Sequence, residues 1–146
     1  MITDKLIAGA LAFRERSGDN EWFLVKSKDN SGLEIPKSDV RRGESSVSAA
    51  IRYLKESAGL RITVLEEAGR MNVTIKNNGQ SQDARVIVYL MRQGTGKPEF
   101  PATLHGSWLK YASARRKLEL AREQKVLGQA NDVLRQWQKE KKAKLK

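Results

Sequence analysis

Residues 6–14 read Leu-Ile-Ala-Gly-Ala-Leu-Ala-Phe-Arg, a short and nearly unbroken apolar run. Such a run reads as a buried strand, and a buried strand needs both sheet partners and cover from elsewhere in the chain. Residues 22–26, Trp-Phe-Leu-Val-Lys, look like its hairpin partner, joined through the turn residues Ser17-Gly18-Asp19-Asn20 and ended by Asp29-Asn30-Ser31-Gly32. A short extended piece, Leu33-Glu34-Ile35, runs into Pro36. After a polar, basic stretch up to Gly43, Ser45 or Ser46 can cap a helix carrying Val47, Ala50, Ile51, Leu54 and Ala58 on one stripe, and Gly59 stops it. Residues 61–76 supply β-formers (Ile62, Val64, Val73, Ile75), and Asn78-Gly79 is a hairpin dipeptide ahead of a strand from Ala84 to Met91. A Gly- and Pro-containing loop, 93–107, follows. Residues 108–118 are expected to be helical, and a last helix from about Gln124 carries Val126, Leu127, Ala130, Val133, Leu134 and Trp137 at spacings of three and four. This order predicts an α/β chain with a mixed sheet covered by helices.

The length of 146 residues suits one domain, placed here at 1–138, with the Lys-rich 139–146 as a tail expected to lack structure unless bound. No apolar run approaches the roughly 20 residues of a membrane span, and the first residues lack the layout of a signal peptide, so a cytoplasmic location is expected. Cysteine is absent and His105 is the only histidine, which excludes disulfides, thiolate chemistry and histidine-built metal clusters. The net charge is +11, and from Lys110 to Lys146 there are 12 Lys/Arg against 4 Asp/Glu. An excess concentrated in one segment points to a polyanionic partner, although a charge run is often only a solvated face.

The stretch from Ser38 to Leu60 holds the most specific signal. Taking Ser38 as the first position, Glu44, Arg52, Leu54, Glu56, Gly59 and Leu60 match the spacing G-x5-E-x7-R-E-U-x-E-E-x-G-U, where U is aliphatic. On these residues, with the flanking strand Ala8–Phe13 and the segment Trp108–Ala114, the chain resembles the Nudix family. The resemblance implies a Nudix-like α/β/α sandwich with a mixed central sheet. It also implies a hydrolase that cleaves nucleoside diphosphate derivatives with Mg²⁺ on the phosphates. The departures fall where that chemistry sits: Ser38 replaces Gly, Tyr53 replaces the first Glu of the Arg-Glu pair, and Ser57 replaces the last Glu. Further along, His105 and Ser113 stand where many relatives carry acids.

Positions 53, 56 and 57 share one helix face, expected to be exposed, and one carboxylate there is a poor Mg²⁺ site. If the chain is active, the resemblance assigns catalysis to Glu56, Glu44 and Arg52, with His105 as a weaker candidate, and Glu56 as the lone metal ligand. A rebuilt site would recruit Glu66, Glu67 or Glu99. Glu44 can bond backbone at the helix start and Arg52 can pair with Glu56, so both also have structural uses. Lys37, Arg41 and Arg42 form a candidate phosphate site near a helix N-terminus. Lys110, Arg115, Arg116, Lys117, Arg122, Lys125, Arg135, Lys139, Lys141 and Lys142 are the candidate nucleic-acid contacts. Tyr53 and Trp137 suit either packing or the stacking of a base. The function expected is a catalytically impaired module that binds RNA or a ribonucleoprotein, with no cofactor, or Mg²⁺ if active. The alternatives are an active hydrolase of dinucleoside polyphosphates, nucleoside triphosphates or capped RNA ends, and a nucleotide sensor that does not hydrolyse its ligand.

Overall fold

The computed structural model describes residues 5–27, 32–98 and 100–144. The apolar run becomes β1 (Lys5–Arg16), which turns through Ser17 and Gly18, at φ 54° and 84°, into β2 (Asp19–Lys26). Two consecutive residues at positive φ make the tight turn whose twist matches a hairpin. Two short strands follow, β3 (Leu33–Glu34) and β4 (Lys37–Asp39), then the helix α1 (Ser46–Ser57). The long hairpin β5 (Ile62–Asn77) and β6 (Gln80–Gln93) reverses at Asn78-Gly79, again at positive φ in both residues. The chain closes with β7 (Gly106–Lys110), α2 (Tyr111–Lys117) and α3 (Ala121–Lys144).

The sheet runs β3-β2-β1-β6-β5, with β4 added beside the start of β1 and β7 on β2. It is mixed: β1 and β6 are parallel from Lys5↔Ala84 to Phe13↔Arg92, and the other pairings are antiparallel. Central β1 is buried on both faces, which explains its unbroken apolarity. Ile7, Leu11 and Phe13 pack with Val86, Val88 and Leu90 under α2 and α3, where Ala114, Val126, Leu127, Ala130 and Leu134 cover them. Ala8, Ala10 and Ala12 face the other way, and these small side chains let Ala49, Ala50 and Leu54 bring α1 close to the sheet.

Three expectations change. Trp108–Lys110 is strand rather than helix, because the outer edge of β2 offers backbone partners (Trp108↔Phe23) and the Phe23 ring lies 5.1 Å from Trp108. The last helix begins at Ala121, three residues earlier than periodicity suggests. It also continues without a break through Lys144, so Lys139–Lys144 is helix where loss of structure was expected. Trp137 is the physical reason, for it seats α3 against Phe13 at 6.4 Å just before the basic end. Among the described residues no helix is long and apolar enough to cross a membrane.

Candidate functional site

Ser45 caps α1 by accepting the Ser48 N–H at 3.1 Å, and Tyr89 of β6 ties the first turn to the sheet through a 2.6 Å hydrogen bond with Ser46. At the other end Gly59, at φ 66°, lets the Leu60 N–H return to the Leu54 carbonyl at 3.1 Å. A Cβ there would also meet the Phe100 carbonyl at 2.9 Å. The loop holding Phe100 then crosses the helix end, where the Ser57 carbonyl accepts N–H bonds from Thr103 (2.8 Å) and Leu104 (2.7 Å).

The matched residues Glu44 and Arg52 hold each other. Arg52 donates from Nε to Glu44 Oε2 at 2.8 Å and from Nη2 to Glu44 Oε1 at 3.0 Å, a two-toothed fork, and reaches the Asp39 carbonyl at 3.2 Å. Glu44 also accepts the Arg41 N–H at 3.0 Å, so the expectation that it bonds backbone is met in the loop before the helix. Arg52 was expected to pair with Glu56; the fork with Glu44 wins because a carboxylate approaching from outside the helix can set both its oxygens against the Nε–Nη2 edge of the guanidinium. Glu56 is left exposed, with no hydrogen bond among the described residues. The fork and the Arg41 N–H hold Glu44 well down, from its ordinary 4.5 to about 2, and the same bond raises Arg52. Tyr53 is half-buried against the core between α1 and the sheet rather than exposed, and burial, then the negative charge of Glu34, push its phenol up.

The face expected to hold a metal therefore offers Tyr53, Glu56 and Ser57. Among the described residues no three His, Asp or Glu side chains cluster closely enough to hold an ion. Glu44 is already committed to the fork. Of the alternative acids, Glu67 is forked by Arg70 at 3.0 and 3.1 Å, Glu66 is exposed on β5, and Glu99 lies outside the described residues. These residues do not fit an Mg²⁺ site, which needs several oxygen ligands in an octahedron. His105 is exposed in the loop before β7, with no hydrogen-bond partner among the described residues.

Lys37 was expected to hold phosphate, and the structure assigns it elsewhere. Its ammonium donates to Glu123 Oε2 at 2.7 Å and to the Ile35 carbonyl at 2.8 Å, while Glu123 Oε1 accepts the Ile35 N–H at 2.7 Å. Glu123, only 1% exposed at the start of α3, thereby ties the last helix to the chain leading into α1. Nothing in the sequence near Lys37 names this partner, which lies 86 residues away. Arg41 and Arg42 remain exposed.

No protein-family model and no curated protein sequence matches the chain. Solved structures do. An Ap4A hydrolase of C. elegans, in a binary complex, superposes with a TM-score of 0.72 at 21% identity over 89% of this chain and 97% of its own. A NUDIX hydrolase from Nitrosomonas europaea gives 0.65 at 15% identity over 89% and 90%. The NUDIX domain of Shewanella oneidensis NrtR, complexed with ADP ribose, gives 0.65 at 12% over 92% and 90%. The chain has the Nudix fold.

On this Nudix-fold chain the candidate nucleic-acid contacts lie mainly on the layer opposite α1. Arg115, Arg116 and Lys117 end α2, Arg122 and Lys125 open α3, and Arg135, Lys139 and Lys142 form one stripe farther along it. All eight are exposed, and none has an ion-pair partner among the described residues. Lys110 instead pairs with Asp19 at 3.2 Å. Lys141 and Arg92 lie 5.0 and 5.9 Å from the Trp137 ring centre, and the half-buried ring also lines a surface pocket with Gln138 and Lys142.

The Glu44 fork predicts a pH dependence. Its folded pKa lies below the ordinary value, so its contribution to stability is complete above about pH 4.5 and disappears as pH falls toward 2. In denaturant unfolding from pH 7 to pH 2, wild type is expected to exceed Glu44→Gln at neutral pH, with the gap closing below pH 4.5. A gap independent of pH would show that the fork is not the source.

Proposed function

We propose that this Nudix-fold chain is a catalytically impaired module that binds the phosphates of RNA or of a ribonucleoprotein. The observation that carries the proposal is a contrast between the two layers. On α1, Glu56 is the one carboxylate on the face where the resemblance implies three. On α2 and α3, eight cations are exposed with no ion-pair partner among the described residues. Hydrolysis of a pyrophosphate needs divalent metal to neutralise developing charge, whereas phosphate binding needs only accessible cations. Arg41 and Arg42 remain able to extend the surface on the α1 side; Lys37 is spent on Glu123.

The test is a hydrolysis screen with Mg²⁺ or Mn²⁺ across dinucleoside polyphosphates, nucleoside triphosphates and capped RNA, run beside an RNA titration. Binding without metal-dependent turnover is expected. Robust release of phosphate or nucleotide, abolished by Glu56→Gln, would overturn the proposal and support the hydrolase. A second reading, a nucleotide held without cleavage, draws support from the ADP-ribose complex of a protein with the same fold. Tight binding of mononucleotides in the same screen, with RNA inert, would favour it.

A further inference from the structure

Resting on the reading of the chain as an RNA-binding module, we infer that single-stranded RNA is seated in the groove between the end of β2 and the connection from α2 to α3. The groove is lined by Lys26, Leu33, Arg116, Lys117, Leu118 and Glu119 and is open to solvent, with a volume of about 660 Å³. That size lies within the roughly 300–1,000 Å³ of small-ligand sites, enough for a nucleotide-sized group. Its floor is anchored by backbone. The Glu119 N–H donates to the Leu33 carbonyl at 3.1 Å, Leu33 bridges Leu118, and Gln124 bonds the Leu118 carbonyl at 3.0 Å.

The cations on its rim come from separate parts of the chain. Arg116 and Lys117 belong to the last turn of α2, where positive charge suits the helix dipole and needs no ligand to explain it. Lys26 ends β2 and has no such explanation. None of the three has an ion-pair partner among the described residues, and of the described acids only Glu119, itself engaged elsewhere, lines the rim. Like charges gathered within a Debye length repel, so the rim is at its most favourable with an anion between its walls. The shape selects the anion. A groove with cations at its edges and the half-buried Leu33 beneath suits a strand whose phosphates follow the rim while a sugar lies over the floor.

Lys26 makes the inference separable from the broader reading, because it lies outside the basic α2–α3 segment. The probe is a fluorescently labelled 12-mer oligouridylate, titrated by anisotropy into the full chain from 50 to 200 mM KCl. Lys26→Glu is expected to weaken binding about tenfold, and Lys26→Ala to flatten the logarithmic salt slope by roughly 0.7, the value for one phosphate. Lys26→Gln, with thermal unfolding followed by circular dichroism, checks that the fold persists, since the side chain is exposed. If RNA binds and the Lys26 variants match wild type while Arg135→Glu/Lys139→Glu weakens binding, the groove is wrong and the RNA reading stands. If wild type fails to bind at 50 mM KCl, the RNA reading falls and the groove with it. Competition by uridine monophosphate as effective, per nucleotide, as the 12-mer would assign the groove to a free nucleotide and overturn the strand.

Discussion

Lys37→Met is expected to lower folding stability by about 3–5 kcal/mol, the range for breaking one side of a buried ion pair. Glu123 is 1% exposed and would keep only the Ile35 N–H as a partner, an anion sealed from water without its counterion. For a chain of this length the loss corresponds to a fall in Tm of roughly 10 °C or more, readable by calorimetry or denaturant unfolding. Glu123→Gln should cost less, roughly 1–3 kcal/mol, because a neutral amide oxygen can still accept from Ile35. The double variant Lys37→Met/Glu123→Leu should recover much of the loss, with a coupling energy above about 1 kcal/mol in the double-mutant cycle. If Lys37 instead served as a free phosphate ligand, Lys37→Met would leave the unfolding curve in place and change only anion affinity. A shift under about 1 kcal/mol would decide for that role and against the ion pair.

The second large effect is expected in binding. If the unpaired cations of α2 and α3 neutralise about six phosphates, the slope of log affinity against log salt should be about −4 for single-stranded RNA, a loss of roughly 10²- to 10³-fold between 50 and 200 mM KCl. Truncation after Gln138 removes the basic end of α3 and should flatten the slope by about 0.7 for each phosphate that the shortened helix no longer reaches. Since α3 is helical through Lys144, Lys139, Lys141, Lys142 and Lys144 are carried on a helix, and little ordering entropy should oppose their binding. Charge reversal at Arg135, Lys139 and Lys142 tests the stripe without shortening the helix. A slope that neither change alters would reduce this surface to solvated charge.

Whatever is set by neighbours in the chain was legible from the sequence. Asn78-Gly79 turns where its dipeptide says, and the turn expected over Ser17-Gly18-Asp19-Asn20 narrows to Ser17-Gly18 with β2 starting at Asp19, because the strain of positive φ is local. Ser45 caps and Gly59 stops α1 for equally local reasons, and the apolar run of β1 announced a strand buried on both faces. The spacing from Ser38 to Leu60 pointed to the Nudix fold, and two of its three departures, Tyr53 and Ser57, marked the face that lacks carboxylates. The destinations of the charged side chains were not legible. Lys37 reads as a loop lysine until α3 brings Glu123 to it, and Arg52 has an acid four residues away yet forks the one that enters from the loop. Trp108 sits in a strand because β2 has an edge to fill, a property of the sheet and not of the segment. Lys26 meets Arg116 and Lys117 only because β2 and α2 end at the same groove. Short-range backbone preferences are written in adjacent residues, whereas the partner of a long flexible charge is chosen by whichever opposite charge the packed core leaves within reach.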